Sequence, residues 1–158
     1  MTRVCFVCLG NICRSPLAET VFVKMVRDRG LEDRFSADSA GTGSYHVGEP
    51  PDPRGRLVAS RRGYSVVGAA RQFKRADFAR FDRIVAMDSD NLAALRKLAP
   101  DATCRNKIEL LRNHDPQALG SEDVPDPYYG GDSGFDEVID ICERGCKNLI
   151  DCLVREGG

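Results

Sequence analysis

The segment Cys8–Pro16, which reads Cys-Leu-Gly-Asn-Ile-Cys-Arg-Ser-Pro, carries the residues best suited to chemistry. It follows the apolar run Val4–Val7 and precedes a stretch with helical spacing. A loop that turns from a strand into a helix can point successive backbone N–H groups at an anion. Cys8 begins this loop and Arg14 comes six positions later. The segment therefore predicts a site for a phosphate-sized anion, with a thiolate placed to attack it.

The residues between the cysteine and the arginine fit the binding of a dianion. Gly10 tolerates left-handed backbone angles, and Asn11 is the next best residue type for them. The planar guanidinium of Arg14 matches two phosphoryl oxygens. Near a helix N-terminus, Cys8 is expected to be a thiolate at neutral pH, and Ser15 can donate a hydrogen bond to it. The predicted anion-binding residues beside Cys8 and Arg14 are Leu9, Gly10, Asn11, Ile12, Cys13 and Ser15.

Length and composition predict one globular domain over residues 1–158. Apolar residues make up 42% of the chain and charged residues 30%, an ordinary globular balance. With a net charge of −1, the chain has no overall positive charge that would attract nucleic acid or a membrane surface. No apolar run approaches the roughly 18 residues that cross a bilayer, and no apolar leader is seen. We therefore expect a cytoplasmic protein that binds neither nucleic acid nor membrane.

The seven cysteines, without a secretion signal, indicate reduced thiols rather than a disulfide framework. Because the chain has only His46 and His114 as histidine ligands, we expect no zinc site and no other metal. Four cysteines are interpreted as small buried hydrophobic residues: Cys5, Cys142, Cys146 and Cys152.

Strands and helices are predicted to alternate along the chain. The predicted strands are Arg3–Val7, Phe35–Ser39, Phe81–Met87 and, with a weaker pattern, Ile108–Leu111. The predicted helices are Leu17–Arg29, Pro53 to about Arg62, Asp90–Leu98 and Phe135–Arg155. This alternation predicts an α/β fold, a doubly wound four-stranded parallel sheet flanked by helices on both faces. Ligands of such sheets bind beyond the carboxyl ends of the strands, where the phosphate-binding loop between the first strand and the first helix would lie.

Cys8–Pro16 resembles the signature loop of the low-molecular-weight protein tyrosine phosphatases. Further segments follow in the family's order: Asp38–Thr42, Gly48–Asp52, Ala70–Gln72, Met87-Asp88 with Asn91, and Val124–Gly130. The resemblance extends over almost the whole chain. It implies a two-step reaction through a cysteinyl phosphate, without metal or cofactor, and phosphotyrosine-containing proteins as substrates. We expect a monomer or a weak homodimer.

The resemblance assigns the general acid to the position of Asp126. An aspartic acid held in a turn between Pro125 and Pro127 could protonate a leaving phenolate. It could then deprotonate the water that hydrolyses the phosphoenzyme. A plain surface turn is the alternative, because Pro-Asp-Pro is favourable turn chemistry by itself. Asp123 is a nearby competitor for the acid role.

Three tyrosines could form an aromatic wall of the pocket. Tyr128 and Tyr129 follow the predicted acid, and Tyr45 matches another aromatic position of the family's pocket. Aromatic side chains can pack against a flat phenyl ester, so the wall favours phosphotyrosine over the shorter phosphoserine. Simple packing is the alternative for each of them.

The resemblance also concerns the stability and protection of the loop. It implies that Asn11 and Ser39 hold the loop by hydrogen bonds, and that Cys13 can form a reversible disulfide with Cys8. The alternative is that Cys13 is a small loop residue with no redox function. The family often has a supporting histidine where this chain has Gly68. Support is therefore expected from Asn11, Ser15 and Ser39.

Two related enzyme classes and one binding module remain alternatives. Phosphoarginine phosphatases resemble a version of the loop with threonine at the position of Ile12, so isoleucine favours phosphotyrosine. Arsenate reductases need further redox cysteines, and between Cys13 and Cys142 the chain has only Cys104. A phosphate-binding adaptor would leave the joint presence of a cysteine, an arginine and an aspartate unexplained.

Overall fold

Four parallel strands form one sheet in the computed structural model, which describes residues 1–128 and 132–157. The strands are β1 (Thr2–Cys8), β2 (Phe35–Gly41), β3 (Arg83–Ala86) and β4 (Ile108–Leu110). Their order across the sheet is β2-β1-β3-β4, and every pair is parallel. The helices are α1 (Arg14–Asp28), α2 (Pro53–Arg61), α3 (Asp77–Arg80), α4 (Ser89–Leu98), α5 (Ala102–Arg105) and α6 (Asp132–Glu156), and a 3-10 turn covers Leu111–His114.

Strand β1 is buried on both sides, and its side chains alternate between two hydrophobic cores. Phe6 and Cys8 belong to the core that also contains residues of α1 and α6. Cys5 and Val7 belong to the core on the other face, with Leu95 of α4. Strands of parallel sheets are buried in this way because helices cover both faces. The predicted α/β architecture with helices on both faces is therefore confirmed.

The sheet places the end of β1 where a ligand is expected. After β1 the chain passes through α1 to β2 on one side of β1, whereas β3 pairs with β1 on the other side. The carboxyl end of β1 therefore lies where the strand order reverses, which is where ligands bind in doubly wound sheets. The loop that begins at Cys8 leaves the sheet at this point.

Several predicted element bounds were wrong. The strand predicted at Phe81–Met87 runs only over Arg83–Ala86, because the Phe81 N–H closes α3 by donating to Asp77 O at 3.2 Å. Strand β2 continues beyond the predicted Ser39 to Gly41, since its register with β1 extends to the Cys8–Gly41 pair. Helix α1 begins at Arg14, before the predicted start. The short elements α3, α5 and the 3-10 turn were not predicted, because four residues show no periodicity.

Helix α6 is the longest element and supplies much of the first core. Cys142 and Cys146 in α6 are fully buried, as is Cys5 in β1, which confirms their interpretation as hydrophobic residues. Cys152 is only half-buried, with Sγ 3.6 Å from Glu156 Oε1, so that interpretation was wrong for this residue. Among the described residues, no helix combines the length and apolarity needed to cross a membrane.

Candidate active site

A cavity of about 350 Å³ lies at the carboxyl end of β1. It is lined by the loop residues Cys8, Leu9, Gly10, Ile12, Cys13 and Arg14, and by Tyr45, His46, Asp126 and Tyr128. The fold thus brings the loop after β1 together with a segment more than a hundred residues away in sequence. Tyr129, which was predicted to line the pocket, is outside the described residues.

Cys8 is almost fully buried, with 2% of its surface exposed. The Asn11 N–H donates to Cys8 Sγ at 3.3 Å, and Ser15 Oγ is 3.0 Å from the same sulfur. Asn11 has a left-handed backbone with φ of 58°, an angle that asparagine tolerates better than most residues. The Asn11 N–H and the Ser15 hydroxyl therefore both lie within hydrogen-bonding distance of the sulfur.

Arg14 interacts electrostatically with Cys8, and its side chain is only 4% exposed. Nη1 donates to Asp88 Oδ2 at 2.6 Å and to Val124 O at 3.1 Å. Burial by itself would lower the pKa of Arg14, but the charges of Cys8 and Asp88 outweigh it, so the pKa is raised. Arg14 is therefore a cation held in place by two acceptors, and its charge acts on Cys8.

Asp88 was not assigned a role from the sequence, although it orients Arg14. It is the N-cap of α4, where its Oδ1 accepts a hydrogen bond from the Asn91 N–H at 2.7 Å. This bond leaves Oδ2 free to accept from Arg14. An aspartate that follows a buried strand and begins a helix is a recognisable cap signal, and it could have identified this residue.

The Asn11 side chain connects the loop to the rest of the protein. Its Nδ2 donates to Ser15 Oγ at 2.8 Å and to Ser39 Oγ at 3.0 Å, while its Oδ1 accepts from the Arg71 N–H at 3.0 Å. Ser39 Oγ in turn donates to Glu19 Oε1 at 2.6 Å. All hydrogen-bonding atoms of the asparagine amide group thus have partners that fix the loop.

The backbone of Arg71 supplies a support for the loop that the sequence did not predict. Gly68, at the position of the family's histidine, is exposed with φ of 106°. The Arg71 guanidinium is 3.1 Å from both Asp38 and Asp77, and these ion pairs hold its backbone next to Asn11. The support therefore comes from an arginine that is itself anchored in two directions.

Gly41 allows the loop after β1 to pack directly on the end of β2. A Cβ at this position would lie 2.7 Å from Leu9 O and 3.2 Å from Asn11 N, both backbone atoms of the loop. We expect Gly41→Ala to displace the loop and to weaken both turnover and inhibition by inorganic phosphate roughly 10- to 100-fold. Steady-state kinetics with phosphate as a competitive inhibitor measures both effects. A variant that folds and binds phosphate normally would contradict this close packing.

Asp126 is the one carboxylate among the described residues that line the cavity. Its Oδ1 accepts a hydrogen bond from the Tyr128 N–H at 3.0 Å, and its Oδ2 is 3.6 Å from Arg14 Nη2. The side chain is 45% exposed, at the mouth of the cavity. The competitor Asp123 instead accepts a hydrogen bond from the Ser89 N–H at 2.8 Å.

The aromatic side of the cavity contains one residue that the sequence analysis missed. Tyr128 is half-buried, whereas Tyr45 is 76% exposed at the rim. His46 lies against the loop, because its ring packs on Gly10, and its ring centroid is 6.0 Å from that of Tyr128. Its Nδ1 is 2.8 Å from Glu49 Oε2. In the sequence, the position of His46 directly after Tyr45 was the signal that could have identified it.

Cys13 is the second thiol of the cavity and differs from the first. Burial raises the pKa of Cys13 to about 12, assisted by the nearby charges of Asp52 and Cys8. Its Sγ is 4.0 Å from Asp52 Oδ2, to which the thiol can donate. Cys13 is therefore protonated at neutral pH and is unsuited to be the nucleophile.

Comparisons with known proteins agree with this geometry. Residues 3–157 match the family model for low molecular weight phosphotyrosine protein phosphatase. The chain is 51% identical over 155 residues to a low molecular weight protein-tyrosine-phosphatase of Streptomyces coelicolor, covering 98% of this chain and 94% of the relative. It is 47% identical over 149 residues to the human low molecular weight phosphotyrosine protein phosphatase, covering 94% and 93%. A crystal structure of an Entamoeba histolytica protein tyrosine phosphatase with Hepes in the active site superimposes with a TM-score of 0.95, 43% identity and full coverage of both chains.

Proposed function

The chain belongs to the low molecular weight phosphotyrosine protein phosphatase family, and we propose that it hydrolyses phosphotyrosine through a phosphoenzyme formed on Cys8. The observation that carries the proposal is the meeting of Cys8, Arg14 and Asp126 in one cavity. A nucleophile, a fixed cation and an acid are the groups that cleavage of a phosphate monoester requires. An anion-binding module would need only the cation and the loop.

In the first step, the Cys8 thiolate attacks phosphorus from the floor of the loop. The sulfur–phosphorus bond forms as the bond between phosphorus and the phenolic oxygen breaks. The loop N–H groups and the Arg14 guanidinium stabilise the charge on the equatorial oxygens. Asp126, at the mouth of the cavity, gives its proton to the leaving oxygen, so that tyrosine departs as a neutral phenol.

In the second step, water attacks the cysteinyl phosphate from the side that the phenol has left. Asp126, now a carboxylate, accepts the proton of this water. The sulfur–phosphorus bond breaks, and inorganic phosphate is released. Ser15 Oγ is 3.0 Å from Cys8 Sγ and can donate a hydrogen bond to it, which stabilises the thiolate as it leaves.

The aromatic rim supports a phenyl ester as the substrate. Tyr128, Tyr45 and His46 border a cavity whose reactive sulfur lies at its base, and Ile12 adds an apolar surface there. The arsenate reductase alternative finds little support, because Cys104 packs against the core on the opposite face of the sheet from Cys8. A disulfide relay between these two cysteines would have to cross the sheet.

We further infer a cytoplasmic location, which the seven unpaired thiols support. The roles of Leu9, Gly10 and Ile12 in phosphate binding, and of Tyr129 in the aromatic wall, stay predictions. The same holds for a monomer or weak homodimer as the state in solution. The reversible Cys8–Cys13 disulfide is also a proposal, supported by the presence of both thiols in one cavity.

A panel of phosphotyrosine, phosphoserine and phosphoarginine peptides of equal length and charge tests the substrate class. We expect phosphotyrosine to have the highest kcat/KM, because only its flat ring can pack against the aromatic side chains that line the cavity. Release of inorganic phosphate measures all three reactions in the same way. Equal or faster turnover of phosphoarginine would overturn the assignment.

A further inference from the structure

Arg54 lies in the first turn of α2, at the end of the helix that is hydrogen-bonded to the phosphate-binding loop. The Asp52 N–H donates to Ile12 O at 2.8 Å, which fixes the start of α2 on the loop. Asp52 is the N-cap of α2, and its side chain accepts from the Arg54 N–H at 2.9 Å. The first turn of α2 therefore has a defined position relative to Cys8.

The Arg54 guanidinium is oriented by the same carboxylate. Its Nε is 3.1 Å from Asp52 Oδ1 and its Nη2 is 2.9 Å from Asp52 Oδ2, a two-pronged pairing. Hydrogen bonds from Arg54 outweigh the effect of burial and lower the pKa of Asp52, so the carboxylate is charged at neutral pH. This pairing leaves the guanidinium plane with little rotational freedom.

From this position, Arg54 contacts the segment that carries the proposed acid. Its Nη2 donates to Tyr128 O at 2.6 Å. Its guanidinium carbon is 5.6 Å from the centroid of the Tyr128 ring and 5.4 Å from that of Phe135, which is fully buried in α6. Arg54 thus binds both the backbone and the ring of the residue two positions after Asp126.

The backbone of Tyr128 connects Arg54 to the carboxylate of Asp126. The Tyr128 N–H donates to Asp126 Oδ1 at 3.0 Å, while Tyr128 O accepts from Arg54. At the other end of the segment, Val124 N–H donates to Met87 O at 2.7 Å, and Val124 O accepts from Arg14. The segment that carries the acid is therefore fixed at both ends, and Arg54 fixes the end next to the carboxylate.

We propose that Arg54 is a positioning residue for the general acid, connecting the phosphate-binding loop to the Tyr128 backbone so that Asp126 is aimed at the leaving oxygen. This inference rests on the proposed role of Asp126 in the reaction. Arg54 should affect the rate of the step in which the phenol leaves, because Asp126 gives up its proton only in that step. Binding of phosphate, which depends on the loop and Arg14, should change little.

The test compares kcat/KM for aryl phosphates whose phenols differ in acidity. This parameter reports the steps up to formation of the phosphoenzyme. We expect Arg54→Met to lower kcat/KM roughly tenfold for the phosphate esters of the least acidic phenols. This loss is a part of the 10²- to 10⁴-fold rate acceleration that general acids contribute. The loss should be small for the most acidic phenols. Arg54→Lys, which keeps the charge and one donor, should recover part of the activity.

Arg56→Met is the matched control, because Arg56 is exposed on the same helix. It should behave as the unmodified enzyme. In an Asp126→Asn background, Arg54→Met should add little further loss, since both changes remove the same proton transfer. An equal loss on every substrate, or a full additional loss in that background, would overturn the inference. If Asp126→Asn itself shows no dependence on phenol acidity, the proposed acid is wrong, which is a separate failure.

Discussion

Replacing Cys8 with serine is expected to abolish turnover of aryl phosphates, with a loss on the order of 10⁴-fold or more, as for other enzymes that lose their nucleophile. The serine hydroxyl is slightly smaller than the thiol and is not ionised at neutral pH. Binding should persist, because the loop N–H groups and Arg14 remain. Steady-state kinetics measures the first effect, and competition by inorganic phosphate measures the second.

Cys152→Ser is the matched control for this prediction. It makes the same atomic replacement at a half-buried thiol at the far end of α6, outside the cavity. We expect this variant to retain its activity. If Cys8→Ser retained substantial turnover, the cysteinyl phosphate would be excluded. If it lost phosphate binding as well as turnover, a collapsed loop would be the better explanation.

Replacing Asp126 with asparagine is expected to lower kcat/KM by 10²- to 10⁴-fold for weakly acidic phenols, the usual contribution of a general acid. Asparagine keeps the shape of the side chain and can still accept from the Tyr128 N–H, which now bonds to Asp126 Oδ1. It cannot give up a proton to the leaving oxygen. The loss should therefore be smaller for acidic phenols, and the dependence of rate on phenol acidity should become steeper.

A comparison with Asp123, the other candidate acid, gives a second test of the same assignment. Asp123→Asn provides the control, because Asp123 instead caps the Ser89 N–H. A larger loss for Asp123→Asn than for Asp126→Asn would transfer the acid role to Asp123.

Much of the fold followed from local patterns. The apolar run of β1, the helical spacing of α1 and α6, and the turn residues around Pro53 are all signals within a short window of sequence. Bounds set by contacts between distant segments were missed. The end of β2 at Gly41 depends on pairing with Cys8, and no short window of sequence contains both residues. The start of β3 was missed for a local reason, because the four-residue helix α3 before it shows no periodicity.

The same distinction applies to the site. By itself, the sequence determined the loop, its cysteine and arginine, and the fold class, because a strand, an anion-binding turn and a helix are contiguous there. Only the tertiary structure decided that Asp88 orients Arg14, that the Arg71 backbone supports Asn11, and that Arg54 contacts Tyr128. Each of these contacts joins residues 60 or more positions apart. Their geometry is set by how the helices pack against the sheet, so side chains that look ordinary in the sequence acquire their function from the fold.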